Sequence, residues 1–342
     1  MICARTARAT RKTAATCLSM SSETDKPGSG LARGSTAALI ELLRITHWVK
    51  NLLVLFPVVL AQRASETTVW LSALAATGVF CLASSSVYVF NDIRDRASDR
   101  LHPDKKNRPL ASGRVRVPVA GVMVVVLAAA SLVAAAAVNV ALLVVVALFL
   151  ALQAAYSTYL KRKMIVDVMC IALGFVLRAA AGAVAIGVPI SPWLFVCTLT
   201  VCLFMGFCKR CNEIASIRDT ALAENHRRTL AGYSSELLTH LITLSGGIAI
   251  ISFLLYATSA RTIQEFGAFR AYCLVYTVPL VIYGVCRFAM LSMRASYPGP
   301  TELVLRDGPF QLTLVLWVLA VVAIVLWGGN LEEWLRVQGY VT

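Results

Sequence analysis

The sequence predicts an all-α, polytopic membrane protein of about nine transmembrane helices. Three observations predict it. Hydrophobic residues fill 58% of the 342 positions and the mean hydropathy is +0.73. A soluble domain of this length has too little interior to hide that much apolar surface. The apolar residues fall in uninterrupted runs of spanning length, and basic residues gather in every second connection between them. Only 15% of residues are charged, yet the net charge is +14. That excess suits loops facing anionic lipid or an anionic substrate. Nucleic acid is the poorer partner, because the cations sit in short loops and form no single soluble face.

Residues 1–35 are small, polar and basic, with Arg5, Arg8, Arg11 and Lys12, and read as a disordered tail. They hold no apolar stretch of signal-peptide length, and Met20 is an alternative start. An amphipathic segment over 36–47 follows. A bilayer core of about 30 Å needs roughly twenty apolar residues. The runs place spans near 48–62, 68–90, 117–137, 139–160, 165–187, 191–209, 240–260, 270–291 and 309–329. The first is short and borrows length from the amphipathic segment, and the boundary at Asn139 is soft. Residues 36–330 make one membrane-embedded domain, and 331–342 a short external tail.

Charge sets the orientation. Arg94, Arg96, Arg100, Lys105, Lys106, Arg108, Arg114 and Arg116 follow span two; Lys161, Arg162 and Lys163 follow span four. Lys209, Arg210, Arg218, Arg227 and Arg228 follow span six, and Arg294 and Arg306 follow span eight. The other side carries Arg63, Arg261 and Arg270, with Glu332 and Glu333. Even-numbered spans therefore exit into the cytoplasm, and the N-terminus is cytoplasmic. The ten cysteines give no disulfide framework: Cys81, Cys170, Cys197, Cys202, Cys273 and Cys286 lie inside apolar runs. Cys208 and Cys211 form a CxxC without a second pair, so zinc is disfavoured. His47, His102, His226 and His240 show no metal spacing.

The strongest chemical signal is VYVFNDIRDRASDRLHPDKKNRPLASGRV, residues 87–115. Asp92, Asp95 and Asp99 fall within about 60° of one helix face. Carboxylates so close repel one another unless a cation sits among them. Oxygen-only ligation, to which Asn91 can add a carbonyl, suits Mg²⁺ bridging to phosphate. The bland alternative is a solvated acidic helix end paired with Arg94, Arg96 and Arg100. Lys105, Lys106 and Arg108 would be poor company for a bare metal but suit a diphosphate held by it. Pro109 and Gly113 shape the turn behind them.

NDxxDxxxD followed by NRPLASG resembles the UbiA-type prenyltransferase superfamily, over about residues 40–330. The resemblance implies nine helices around a central cavity and a Mg²⁺-dependent diphosphate site. Members that prenylate aromatic rings carry a second acidic motif after span six. Here that stretch reads GFCKRCNEIASIRD, 206–219, with Lys209, Arg210 and Glu213. This departure favours a substrate bearing an additional phosphate. THWVKNLLVLFP (46–57), AYSTYLK (155–161), VDVMCIALGFVLRAAAGAVA (166–185), GFCKRCNE (206–213) and ELVLRD (302–307) resemble the decaprenyl-phosphate phosphoribosyltransferase branch. That branch implies transfer of 5-phosphoribose from phosphoribosyl diphosphate to a polyprenyl phosphate, at the cytoplasmic face of a bacterial inner membrane. The product would feed cell-wall synthesis.

Within those stretches Lys50 and Asn51 open span one; Lys50 reads equally as a snorkelling anchor or a phosphate ligand. Tyr156 and Lys161 close span four, and Tyr156 is also a plausible interfacial belt residue. Asp167 and Arg178 share a face of span five, but three turns, about 16 Å, separate them. Arg178 lies deep in the span, where an unpaired charge costs several kcal/mol, so it should meet a ligand anion or a carboxylate. Lys209 and Glu213 are spaced to pair with each other; with Arg210 beside them they read as a phosphate-binding group oriented by Glu213. Arg306 and Asp307 are weaker candidates. Asp92, Asp95 and Lys161 are expected to act at the reacting diphosphate, and the remaining residues to bind substrate. Two alternatives stay open: a prenyl diphosphate donor on the same fold, and a lipid-phosphate transporter. Self-association is open too.

Overall fold

The computed structural model describes residues 31–60, 66–101, 105–190, 192–218, 232–294 and 300–338. The basic tail up to position 30 lies outside them, as do Met20, Arg63, His102, His226, Arg227 and Arg228. Among the described residues there is no strand. Nine segments of the described residues are long and apolar enough to cross a membrane: Thr36–Val59, Thr67–Leu101, Val117–Val138, Val140–Thr158, Val166–Ala185, Phe195–Ala215, Ser235–Ala257, Ala268–Met293 and Gly308–Val337. The protein is therefore a multi-pass membrane protein. Helices satisfy their own backbone groups, which is what permits them to cross hydrocarbon.

The first span, expected near 48–62, draws its length from the amphipathic segment as anticipated and covers Thr36–Val59. It is one broken crossing: α1 (Leu31–Leu43), a 3₁₀ helix (Ile45–Leu55) and α2 (Phe56–Leu60). α1 also begins inside the stretch expected to be a disordered tail. Arg44 makes the break, with left-handed backbone angles of φ 50° and ψ 52°. That geometry costs a non-glycine residue roughly 1–2 kcal/mol. Eleven residues is long for a 3₁₀ helix, in which residues three apart stand in line. The row of Trp48, Asn51 and Val54 faces the protein. Trp48 Nε1 donates to Ser85 Oγ at 3.0 Å, and Asn51 and Val54 are fully buried. A Cβ at Gly182 would stand 1.9 Å from the Val54 carbonyl oxygen, so only glycine lets the 3₁₀ helix lie this close to span five.

Span two is α3 (Thr67–Leu101), whose 35 residues measure about 52 Å. It outruns a bilayer core, so the residues expected in a loop after position 90 lie on a rigid helical extension. α4 (Val117–Val138) and α5 (Val140–Thr158) are parted at Asn139, which settles the soft boundary. Its Oδ1 accepts from Leu142 N at 2.7 Å and its Nδ2 donates to the Val184 carbonyl at 3.0 Å. α6 (Val166–Ala185) is the most enclosed span, packed on α5, the 3₁₀ helix and α7 (Pro192–Arg218). α7 carries Lys209 to Arg218 as helix rather than loop.

α8 (Ser235–Ala257) packs on α7. α9 (Ala260–Phe266), α10 (Ala268–Val275), α11 (Val278–Met293) and α12 (Pro300–Arg306) follow, and α13 (Gly308–Val337) runs past the expected boundary at 330. One apolar core joins α3, α5 and α6 around Phe80, Phe149 and Val54. A second joins α7, α8 and α11 around Phe204, Phe207, Leu238 and Phe288. The CxxC cysteines are both buried in this second core, as hydrophobic packing.

Candidate functional site

The acidic face of α3 is met by cations from three parts of the chain: the break in span one, the loop that follows α3 and the turn after α5. Asp92 is buried, and its Oδ1 accepts from Arg44 Nη2 at 2.5 Å and from Arg108 Nη1 at 3.3 Å. The same Arg108 nitrogen donates to Oδ2 of buried Asp99 at 2.7 Å. Lys161, in the short turn after α5, pairs with Asp95. The nearest basic neighbours on α3 do otherwise. Arg96 Nε bonds the Leu110 carbonyl at 3.1 Å and Arg100 Nε the Ala111 carbonyl at 3.0 Å. They tie the loop of Arg108 and Pro109 to the helix. Arg114 finishes the tie, reaching Glu41 at 2.9 and 3.1 Å and the Asn107 carbonyl at 2.6 Å. Gly113, at φ 81°, supplies the left-handed turn. The acids are thus not a solvated helix end paired with its own arginines. Lys105 sits in the turn of Lys105–Asn107 immediately before Arg108, and its carbonyl accepts from Arg108 N.

The expected four-residue set does not close on one point. Asp92 and Asp99, two turns apart, share Arg108, while Asp95 is rotated toward Lys161 and Asn91 is half-buried beside Asp92. Among the described residues no three acids, histidines or cysteines are placed to hold a metal between them. A Mg²⁺ ion nevertheless suits these donors. It commonly takes one or two carboxylates and completes its shell with water and phosphate oxygen. Buried Asp92 and Asp99, offering hard oxygens beside a polar cavity, meet that requirement.

That cavity, of about 250 Å³, is lined by Glu41, Arg44, Thr46, His47, Asp92, Arg108 and Pro109. A second cavity, of about 880 Å³, is almost wholly apolar and lies between the 3₁₀ helix and spans six to nine. Leu53, Phe56, Phe204, Met205, Phe288 and Trp317 line it, and Lys50 is its cation. The 3₁₀ geometry explains how one element serves both. His47, Lys50 and Leu53 form one row, which passes from the polar cavity into the apolar one. The charges of Lys50, Arg44, Arg108 and Lys209 all bear on His47. Sequence reasoning passed over Arg44 and found in His47 no more than the absence of metal spacing, because neither is continuous in sequence with the acids of α3.

Arg178 is buried, and its hydrogen bonds among the described residues go to neutral partners. Its Nε donates to Asn51 Oδ1 at 2.8 Å, its Nη1 to the Gly174 carbonyl at 2.8 Å and its Nη2 to Ser84 Oγ at 3.3 Å. Its guanidinium stacks at 4.8 Å from the Phe149 ring and 5.3 Å from that of Phe175. A weakly hydrated, planar cation is content with carbonyl oxygens and aromatic faces. Asn51 and Arg178 therefore clamp the 3₁₀ helix to α3 and α6, outside the lining of these two cavities.

Asp167 and Arg210 are also internal. Arg210 Nε lies 2.9 Å from Asp167 Oδ2, though its N–H is not aimed at that oxygen. Arg210 Nη1 bonds Glu213 Oε2 at 2.5 Å. Tyr233, which the sequence did not flag, donates to Asp167 Oδ1 at 2.9 Å and accepts from Ile165 N at 2.6 Å. Ile165 is held there at φ 68°. Burial raises the Tyr233 hydroxyl well above its ordinary pKa, and the Asp167 charge adds to this, so the phenol stays a donor. Tyr156 is close enough to act on Arg210 electrostatically. Lys209 is the exposed member of the group, 3.9 Å from Glu213. Asp307 accepts from Phe310 N as the cap of α13 and pairs with Arg287 at 2.6 and 2.9 Å, a structural role.

Residues 52–296 match the model of the UbiA prenyltransferase family. A decaprenyl-phosphate phosphoribosyltransferase of Mycolicibacterium smegmatis is 31% identical over 305 residues, covering 87% of this chain and 95% of its own. A protein of the same description from Corynebacterium glutamicum is 32% identical over 305 residues, 88% of this chain and 89% of its own. A UbiA homologue from Archaeoglobus fulgidus, solved with DMAPP and Mg²⁺, has the same fold at a TM-score of 0.62 and 17% identity, over 84% of this chain and 99% of that one.

Proposed function

This chain belongs to the UbiA prenyltransferase family, and from that premise we propose that it moves 5-phosphoribose from phosphoribosyl diphosphate to a polyprenyl phosphate. The observation that carries the reading is the row of His47, Lys50 and Leu53. It joins a polar, acid-lined cavity to a long apolar one, with cations at the seam. A diphosphate fits the first, an isoprenoid tail the second, and two anionic groups meet between them. The similarity to the mycobacterial and corynebacterial relatives supports the choice of donor and acceptor.

Asp92 and Asp99 would hold Mg²⁺, with Asn91 and Asp95 at its edge. The ion would stabilise the departing diphosphate as a Lewis acid. Arg108 and Lys161, already on the acids, neutralise the diphosphate oxygens, and Lys105 adds charge at the loop. Lys50 and Lys209 receive the lipid phosphate at the mouth of the apolar cavity. The acceptor is an anion before it reacts, so no side chain has to remove a proton. Its oxygen attacks C1 of the ribose as the C1–O bond to diphosphate breaks, and attack from the opposite face inverts C1. Asn51, Tyr156, Asp167, Arg178, Arg210 and Glu213 hold these groups in place from behind. The catalytic domain spans 36–330, in a bacterial inner membrane with the N-terminus and the site on the cytoplasmic side. The distribution of Lys and Arg between alternate connections supports that orientation.

The test is an incubation of membranes containing the protein with radiolabelled phosphoribosyl diphosphate, a polyprenyl phosphate and Mg²⁺. Labelled lipid is expected, and EDTA should abolish it. No labelled lipid, together with turnover of a prenyl diphosphate, would overturn the reading in favour of a conventional prenyl donor.

A further inference from the structure

Arg44 makes a contact that the acidic face does not need for its own cohesion. Arg108 already bridges Asp92 and Asp99. Arg44 adds a second guanidinium to the same Oδ1 of Asp92, and at a shorter distance. It does so from a left-handed backbone at the break in span one. Conformational outliers of this kind cluster at active sites and ligand clamps. The guanidinium lines the polar cavity, with its carbon 5.6 Å from the centre of the Tyr88 ring.

The charges around it are matched: Arg44 on Asp92, Lys161 on Asp95, Arg108 on Asp99. A divalent cation that takes Oδ1 of Asp92 has to displace Arg44, and by itself it offers that guanidinium nothing in return. A metal diphosphate brings phosphate oxygens, for which guanidinium is the better-suited partner. The 250 Å³ of cavity beside Arg44 gives its side chain room to turn without moving the backbone.

We propose that Arg44 is a donor-binding residue that exchanges partners, leaving Asp92 for a phosphate oxygen of the incoming diphosphate. It competes with metal alone and assists metal with diphosphate, so the two bind as a pair. This rests on the reading of Asp92 as a metal ligand.

The test uses the full chain in lipid nanodiscs, with Mn²⁺ binding followed by electron paramagnetic resonance and retention of radiolabelled inorganic diphosphate measured at fixed Mn²⁺. Arg44→Asn removes the charge and keeps a residue that tolerates the left-handed backbone. It should bind Mn²⁺ alone about fivefold more tightly than the wild type, yet retain diphosphate about tenfold more weakly. Arg44→Lys keeps a charge; it should leave Mn²⁺ binding within about twofold of wild type and weaken diphosphate retention. Equal Mn²⁺ affinity in wild type and Arg44→Asn overturns the exchange, as does undiminished diphosphate retention. A lower melting temperature in both variants with neither affinity moved makes Arg44 structural and overturns it as well. Asp92→Asn tests the underlying reading separately. If it binds Mn²⁺ like wild type, the metal assignment fails whatever Arg44 does.

Discussion

Asp92 and Asp95 lie one turn apart on α3, but their surroundings differ. Asp92 is buried under two guanidinium groups, whereas Asp95 is half-buried on one ammonium. Replacing Asp92 by Asn should lower turnover by about 100-fold or more, because it removes the buried anion that the site is built around. Asp95→Asn should cost less, about tenfold, since it loosens Lys161 but leaves Asp92 and Asp99 on Arg108. Initial rates at saturating Mg²⁺ check the order; a reversed order would move the metal toward Asp95. Arg178 should behave as a different kind of residue. Arg178→Met leaves Asn51 and Ser84 short of a donor and should destabilise the fold by about 2–3 kcal/mol. The melting temperature should fall while KM for the donor in the surviving protein stays put. A raised KM at unchanged melting temperature would restore Arg178 to the site. The sequence made Asp92, Asp95, Asp99 and Arg108 legible because they lie in one continuous motif. Arg44 and Tyr233 reach their acids across 48 and 66 residues, and nothing local marks such a pairing.

The 3₁₀ helix is the element that turns packing into a site. Hydropathy reads Ile45–Leu55 as the start of a spanning helix, and it is one, but hydropathy carries no trace of the change in pitch. In an α-helix His47, Lys50 and Leu53 would drift around the axis by about 60° at each step. In 3₁₀ geometry they stay in line. Gly182 keeps that element in place, because its missing side chain is the space in which Val54 lies. Gly182→Ala should push the 3₁₀ helix off α6, destabilise the protein by about 1–3 kcal/mol and slow turnover through displacement of Lys50. Thermal unfolding in detergent, read together with the transfer rate, checks this. Full activity with unchanged melting would mean that Val54 can yield without moving the row. The boundary at Asn139 teaches a related lesson. One amide there caps α5 and ties it to α6, a use of Asn that is evident once the Val184 carbonyl is known to be nearby.

At the scale of the molecule, nine spans are legible because a bilayer imposes length and composition on each of them separately. Which spans wall the cavity is not legible. Leu53, Phe204 and Trp317 face the apolar cavity, while Val125, Val133 and Leu326 are exposed on the outside, and hydrocarbon asks the same chemistry of both. Orientation, by contrast, rests on charges that can be tested one at a time. Lys106 is exposed in the loop between spans two and three, on the side of the acids, and Glu265 is exposed on α9, between spans seven and eight, an odd number of crossings away and so on the opposite side. If the basic loops face the cytoplasm, Lys106→Cys should react with a membrane-impermeant maleimide in inside-out vesicles and resist it in right-side-out ones. Glu265→Cys should do the reverse, with the wild type giving the background from its native cysteines. Labelling of Lys106→Cys from the outside would place the polar cavity on the external face. A donor made in the cytoplasm could not reach it there, and the proposed phosphoribosyl transfer would fall with the orientation.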